Sequence, residues 1–595
     1  MDPNELPIEA PEDPDAGHGT PRRLSRLSGI LAGAFALLAS AEALLRLACG
    51  PAPAPPPRPD LRYFDEEALD PFFKPGPSVA GGKLYEASRP GSLAPSFIMP
   101  KAPDVFRVFV VGGSVGLPYG KSGDAAPSLT ELLKSELPAG KSPEIIGCAM
   151  AGYDSPRERV VVREISQYQP DLVILMTGNN ENGRTTPEHP NPVLRRLFDI
   201  LGQSRLYFEA RRVLAPWLRA PFAAGPSPLS RERILSRFDN NLRAMARRCR
   251  LAKARLLLCA LPANLRDWPP RRFIPKRWLD NPDFLRGRME AERGLASGAI
   301  RELAAAVASA PADPVPRFYL ARALEATRDY AGAKKEYESA LNESFPSGAA
   351  TPGINLRLRR IAREKGLLLA DVDAAISSAS AHGIPGYDIF LDHCHWREEF
   401  YPLVNASIIQ AWRDRDRRDE GLLRAFMARL NAARRLAAAP LRDPTRILLE
   451  PLYASLTEKS CLVDERLANA LETVARQDDA SLRRISSAGG YAAFLSSRMS
   501  RFITSPRPPE PPPWPCFVLN VAESQRRMGR TRRAIRLFKE VLKLRPLNAP
   551  ARLGLAVSLA QAGRRAESKR LFDKLQRGYP EREEIAGWRQ IFFAN

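Results

Sequence analysis

Apolar residues between positions 105 and 183 fall in short unbroken runs separated by amphipathic stretches. Val108–Val111 is a β-branched run that stops at Gly112 and Gly113, the pattern of a strand buried on both faces of a parallel sheet. "SLTELLKSELP" (128–138) predicts a helix, "EIIGCAMAGY" (144–153) a second strand and "SPRERVVVREISQY" (155–168) a second helix. "PDLVILMTGNNENG" (170–183) predicts a third strand that runs into a polar cluster. The order is βαβαβ, with polar groups at successive strand ends, where open α/β sheets place their sites. Further on, "INLRLRRIAREKGLLLADVDAA" (354–375) predicts another helix and strand, and Ile389–Leu391 is a short strand-like piece.

A second periodicity governs the helical parts. Gly529 and Gly563, Phe538 and Phe572, and Pro546 and Pro580 recur 34 residues apart, as do the pairs Ala534/Phe538 and Ser568/Phe572. Ala299/Leu303 and Ala333/Tyr337 repeat the same spacing earlier in the chain. This resembles tetratricopeptide repeats, which pair two helices per unit and present a groove to partner proteins. Residues 290–346 thus read as one and a half to two repeats set before the α/β segment resumes, placed as a lid or wall near the strand ends. Residues 413–506 are helix-rich, 507–514 a Pro-rich linker, and 515–595 the C-terminal repeats, with a basic face of Arg526, Arg527, Arg530, Arg532 and Arg533.

The N-terminal end has a different character. Residues 1–25 read as a polar, acidic, proline-rich tail, and Leu27–Leu45, within a segment 26–48, is long enough to span a bilayer. Arg22, Arg23 and Arg26 precede it, so the positive-inside bias keeps the tail cytoplasmic and exports the chain beyond residue 48. A cleaved signal at Ala39-Ser40-Ala41 is the competing reading, and Arg46 argues against a lipoprotein signal ending at Cys49. Residues 49–62 form a stiff proline-rich spacer.

Charge and cysteine content narrow the classes. The net charge is +22, from 89 Lys and Arg against 67 Asp and Glu, but no nucleic-acid-binding motif accompanies it, so no nucleic-acid partner is expected. Seven scattered cysteines without a CxxC pair suggest neither a disulfide framework nor a zinc site.

The candidate chemistry lies at Ser114, just past the first strand. A P-loop is excluded because Val115 stands where its first glycine belongs and Pro118 interrupts the loop. The G-x-S-x-G elbow of α/β-hydrolases fits Gly112–Gly116, yet residues 63–107 show neither the preceding strands nor the oxyanion loop of that fold. A serine nucleophile needs a histidine base, and the histidine a carboxylate to orient it. Of the five histidines, His393 and His395 lie in "DIFLDHCHW" (388–396), where Asp392 and His395 are three apart.

Together these residues resemble the SGNH (GDSL-like) hydrolase superfamily, in a membrane-anchored branch with tetratricopeptide repeats. Gly112-Gly113-Ser114, Gly152 of "GCAMAGYDS", Gly178-Asn179-Asn180-Glu181 and Asp392-His393-Cys394-His395 stand for its four blocks, and "FIMPKAPDVFRVFVVGGS", "YQPDLVILMTGNNE" and "ANLRDWPP" for recurrent segments. The resemblance implies a three-layer, flavodoxin-like α/β domain over 63–289 and 347–412, Ser114, Asp392 and His395 as catalytic residues, and Gly152 and Asn180 in the oxyanion hole. It implies an ester substrate and neither cofactor nor metal. His393 as the base and a metal held by the D-H-C-H group stay open as alternatives. Three departures stand out: Gly147 for an asparagine, Glu181 for an aspartate with its charge kept, and Phe400 for a glycine, where it would narrow the site. The expected function is a serine esterase anchored in the cytoplasmic membrane, facing outward onto an envelope or extracellular ester. The alternative is an inactive scaffold of the same fold.

Overall fold

The computed structural model describes residues 33, 36–48, 50, 71–89, 92–120, 123, 125–181, 204–206, 209, 230–413, 420–456, 461–498 and 514–593. The chain forms two units, Met1–Tyr63 with Arg184–Pro228, and Phe64–Gly183 with Leu229–Asn595. In the first, residues 36–48 are helical, and Glu42 accepts from the Ser204 hydroxyl and from the N–H groups of Arg205 and Leu206. No helix among the described residues is long and apolar enough to cross a membrane. The expected span 26–48 is described only at 33 and 36–48, and the tail 1–25 lies outside the described residues altogether. Of the two proline-rich linkers, only Gly50 and Trp514 are described.

The second unit is built on a five-stranded parallel sheet. After the antiparallel strands β1 (Phe73–Val79), β2 (Gly82–Ala87) and β3 (Phe97–Met99) come β4 (Val105–Gly112), β5 (Ser142–Ala149), β6 (Leu172–Met176), β7 (Arg255–Ala260) and β8 (Leu368–Asp371). The sheet order is β5-β4-β6-β7-β8, all parallel, the 2-1-3-4-5 arrangement of flavodoxin-like folds. Val108–Val111 are fully buried, as their unbroken apolar run requires; each such side chain contributes about 1.5–3 kcal/mol by leaving water. Strands do occur before the serine, contrary to the expectation for 63–107, but they make a separate sheet.

Helices cover the parallel sheet in two groups. α1 (Ala125–Lys134) packs on the helix Tyr401–Trp412, which also meets Val372–Ala379 and Glu420–Ala438; α2 (Ser155–Ile165) packs on α3 (Arg231–Leu251), which meets Pro352–Lys365. These two groups and the sheet are the three layers of an α/β fold. Two predicted elements differ in extent. The strand written into 144–153 stops at Ala149, and Ile389–Leu391 is not a strand: Phe390 bridges Trp396 across a tight loop, with the Leu391 N–H donating to the His395 carbonyl.

Between β7 and β8 four helices, Pro282–Glu292, Ala296–Ser309, Pro314–Ala326 and Tyr330–Glu343, form two hairpins. Trp514–Arg527, Thr531–Leu544, Ala549–Gln561, Arg565–Gly578 and Glu583–Phe593 form the C-terminal stack. The positions 34 apart are its packing positions: Ala534, Phe538, Ser568 and Phe572 are buried, and Gly529 and Gly563 both take the positive φ that turns one helix into the next. Gly554 leaves room for the Phe538 ring, which a Cβ would meet at 2.3 Å.

The hairpins and the stack join through apolar and ionic contacts. Leu285 and Met289 enter the cluster of Val557, Phe572 and Trp588. Arg526 reaches Glu292 and Glu523, and Arg527 reaches Glu465 and Glu523. The expected basic face therefore dissolves. Arg526 is buried and Arg527 half-buried in ion pairs, Arg530 and Arg533 bond Asp479, and only Arg532 of the five stays exposed. Cysteine usage also departs from expectation, because Cys461 and Cys516 form a disulfide that ties the helical region to the stack.

Candidate active site

The site gathers at the carboxyl ends of β4, β5, β6 and β7. β4 delivers Gly112 and Gly113 into a short 3-10 turn, Ser114–Tyr119. A Cβ on Gly112 would sit 2.5 Å from the Met176 carbonyl oxygen, and one on Gly113 3.2 Å from both the Asn180 amide nitrogen and the Tyr153 carbonyl oxygen. The glycine pair is thus what lets the serine turn lie against the ends of its neighbouring strands. Gly147, one of the departures, has the same cause: a Cβ there would lie 2.6 Å from the Tyr119 carbonyl oxygen.

The loop 388–396 brings its two histidines to this turn. His395 Nε2 lies 2.6 Å from Ser114 Oγ, and His395 Nδ1 lies 2.6 Å from Asp392 Oδ2. The other carboxylate oxygen accepts the N–H groups of Cys394 and His395, at 2.9 and 2.8 Å. Asn264, just past β7, fixes the loop from below. Its amide donates to the Asp392 carbonyl and its N–H to the His393 carbonyl, both at 3.0 Å. Burial alone would raise the Asp392 carboxyl, but the charge and hydrogen bond of His395 hold it well below the usual carboxylate range. For His395 burial works against the charged ring, yet Cys394 and the Asp392 carboxylate raise its pKa well above the ordinary histidine value. An imidazole so placed can take a proton from a hydroxyl and hold it beside a carboxylate.

Asn180 and Gly152 stand next to the serine turn. Asn180 adopts a left-handed φ of 64° and donates its amide to the Tyr153 carbonyl at 3.3 Å, leaving the second amide hydrogen free of that bond. Gly152 has φ 74° and is exposed. Among the described residues neither the Ser114 nor the Gly152 N–H has a hydrogen-bond partner. Such donors suit a developing oxyanion. The Asn180 N–H itself is taken by the Gly348 carbonyl, and the Asn179 side chain accepts from Ala350, so the segment closing the inserted hairpins is bonded directly to the third block.

Two departures behave differently from expectation. Phe400 is fully buried in the core and does not narrow the site. Glu181 is buried against the Ser155 N–H and hydroxyl, and burial with Asp154 beside it pushes its pKa up, which disfavours the charge the aspartate position would carry.

Residues outside the four blocks complete the surroundings. Tyr401 donates to the Val115 carbonyl at 2.9 Å and Tyr119 to the Asn405 side chain at 2.6 Å, clamping the serine turn from the helix behind it. Glu450, on the helix Leu449–Leu456, bonds His393 Nδ1 at 3.1 Å, and the Trp268 ring packs against the other side of His393 at 5.5 Å. His393 therefore faces Glu450, a small cavity of about 20 Å³ and the inserted hairpins' Phe318, Tyr337 and Leu341. Nothing in the local spacing singles out Glu450, which lies 57 positions from His393; Asn264 is visible in "ANLRDWPP" as a polar residue at a strand end. Asp392 with His393 and Cys394, or with His395 and Glu450, brings metal-ligand atoms within 4.8 Å of one another. A metal in either group would compete with the bonds that tie Asp392 to His395.

Residues 526–589 match the tetratricopeptide repeat family model. No curated protein matches the chain. Among solved structures it is similar to the acetyl xylan esterase AlAXEase, at 12% identity and a TM-score of 0.26, over 51% of this chain and 99% of that one. TesA is similar at 12% identity and 0.23, over 52% and 98%. The esterase EstA of a Pseudoalteromonas species is similar at 12% and 0.22, over 51% and 97%. These overlaps are too loose to carry the chemistry, which stands on the side chains around Ser114.

Proposed function

We propose that this chain, an SGNH-like α/β body joined to tetratricopeptide hairpins, is a serine ester hydrolase. The observation that carries the reading is the unbroken line Ser114 Oγ, His395 Nε2, His395 Nδ1 and Asp392 Oδ2, with both contacts at 2.6 Å. Ser114 attacks the ester carbonyl while His395 takes its proton. His395 returns that proton to the departing alcohol, water then attacks the acyl-enzyme by the same route, and Asp392 holds the imidazole in the productive tautomer. Asn180, Gly152 and the Ser114 N–H stabilise the oxyanion, each by about 3 kcal/mol. His395 is favoured over His393 as the base because His393 bonds Glu450 instead.

The finer reading places the body outside the cytoplasmic membrane, on a single N-terminal anchor, acting on an acyl ester of envelope carbohydrate or lipid. It rests on the apolar segment 26–48 with its preceding arginines and on the Cys461–Cys516 disulfide, which fits an oxidising compartment. The repeat match at 526–589 favours a protein partner on the helical side, and with it the second reading, a scaffold without turnover.

Hydrolysis of a short-chain nitrophenyl ester by the full-length chain tests the proposal. Turnover that disappears in both Ser114→Ala and His395→Ala supports the hydrolase. Turnover absent from the unaltered chain, or unchanged by these substitutions, leaves only the scaffold.

A further inference from the structure

Several arginines in the helical body are tied to carboxylates, as Arg526, Arg527, Arg530 and Arg533 illustrate. The helix Thr531–Leu544 also carries a face of cations without such partners. Arg532, Arg536, Lys539 and Lys543 lie along Thr531–Leu544 at i, i+4, i+7 and i+11, all exposed, and among the described residues none forms an ion pair. Eleven residues of helix set these cations on a line about 16 Å long. They border an open groove of about 600 Å³ that Trp514 and Leu544 also line, with Glu540 its single acidic residue. At the end of the row Leu544 and Leu547 are 56% and 75% exposed.

We propose that this face docks on a bilayer surface carrying anionic lipid. Neighbouring cations on this row lie about 4.5–6 Å apart along the helix axis, inside the screening length of about 8 Å in physiological salt, and each adds about fivefold to affinity for an anionic membrane. The two leucines choose between polyanions. A soluble acidic glycan offers nothing apolar to cover them, whereas the lipid interface accepts a cationic row and an apolar flank together. The helix's opposite side is occupied by the core residues Ala534, Leu537, Phe538 and Val541, so the basic side faces away from that core. This inference does not depend on the esterase reading.

Flotation of the full-length chain with phosphatidylcholine vesicles, with or without phosphatidylglycerol, tests it. Arg22, Arg23 and Arg26 beside the apolar N-terminal segment favour phosphatidylglycerol in every variant alike, so the change on substitution isolates the face. The expected result is a preference that falls as salt rises, declines about fivefold in Arg536→Gln and falls much further in the fourfold variant R532E/R536E/K539E/K543E with its thermal melt unchanged. L544S/L547S should also weaken vesicle binding. No preference in the unaltered chain, or a preference as strong in the fourfold variant as in the unaltered chain, would overturn the proposal. So would dextran sulfate binding as tight as vesicle binding together with an L544S/L547S variant that binds vesicles normally, since the surface would then be a glycan site.

Discussion

The α/β body and the helical body treat buried charge in opposite ways. Around the parallel sheet the core is largely apolar, and among its buried polar side chains Asp154, Glu158, Asn179 and Glu181 lie beside the ends of β5 and β6, and Asn264 after β7. In the helical body, Arg526, Glu523, Glu465 and Glu472 are buried just as deeply, yet Arg526 pairs with Glu523 and with Glu292 of the inserted hairpins, and Glu465 and Glu472 pair with Arg527. Buried charge beside the candidate site borders the chemistry, and in the helical body it serves assembly. What separates the two cases is geometry. His395 aims at the Ser114 hydroxyl, and the Ser114 and Gly152 N–H groups have no partner among the described residues, while the helical charges close their own network.

Asp392→Asn should produce the largest effect. Losing the carboxylate that fixes the His395 tautomer is expected to lower ester turnover about ten-thousandfold, with little change in the melting temperature. The reaction needs neutral His395, so activity should be lost as pH falls through the pKa of that ring. Because this pKa is raised, the acid limb should lie above the ordinary histidine range in the unaltered protein and move down in the variant. A profile that does not move would detach Asp392 from the base.

Legibility in the sequence followed the same division. Val108–Val111 read as a buried strand because a parallel sheet covers both faces and leaves no alternation, and Gly112-Gly113-Ser114 could be located because only glycine tolerates the approach of Met176 and Asn180. The 34-residue spacing was readable because equivalent helices bury equivalent residues. Glu450 was not, since its meeting with His393 depends on how a distant helix folds back, and no local period records that. The basic face was misread for a related reason: Arg526 and Arg527 look solvent-facing until Glu292 and Glu465 arrive from remote segments. Cys461 and Cys516, 55 positions apart, carry no spacing signal either.

Arg527→Met should show the helical side of the contrast. It takes a cation away from Glu465 and Glu472 in a buried joint, and a loss of about 3–5 kcal/mol in unfolding free energy is expected, measured by denaturant titration. Turnover per folded molecule should stay close to that of the unaltered chain. Reduced turnover with intact stability would break the division between chemistry and assembly. The double variant C461S/C516S should weaken the same side less, by about 2–4 kcal/mol, since it opens one loop without leaving a charge unpaired. A melting temperature indifferent to reducing agent would argue that this staple does not form in solution.

Tyr401→Phe tests the smallest effect, on the boundary of the catalytic body. It removes a single bond to the Val115 carbonyl behind the serine turn, worth about 0.5–1.5 kcal/mol. A threefold to tenfold fall in kcat at unchanged KM is expected, on the order of that energy. A change in KM alone would assign Tyr401 to substrate binding instead of to the turn.

The central claim, that Ser114 is a nucleophile activated by His395, is tested most directly by intact-mass and peptide mapping of the full-length chain after treatment with a fluorophosphonate. The account expects one covalent adduct, located on Ser114 and absent from His395→Ala. A chain that stays unlabelled while folded, or an adduct mapped to any other residue, would contradict it.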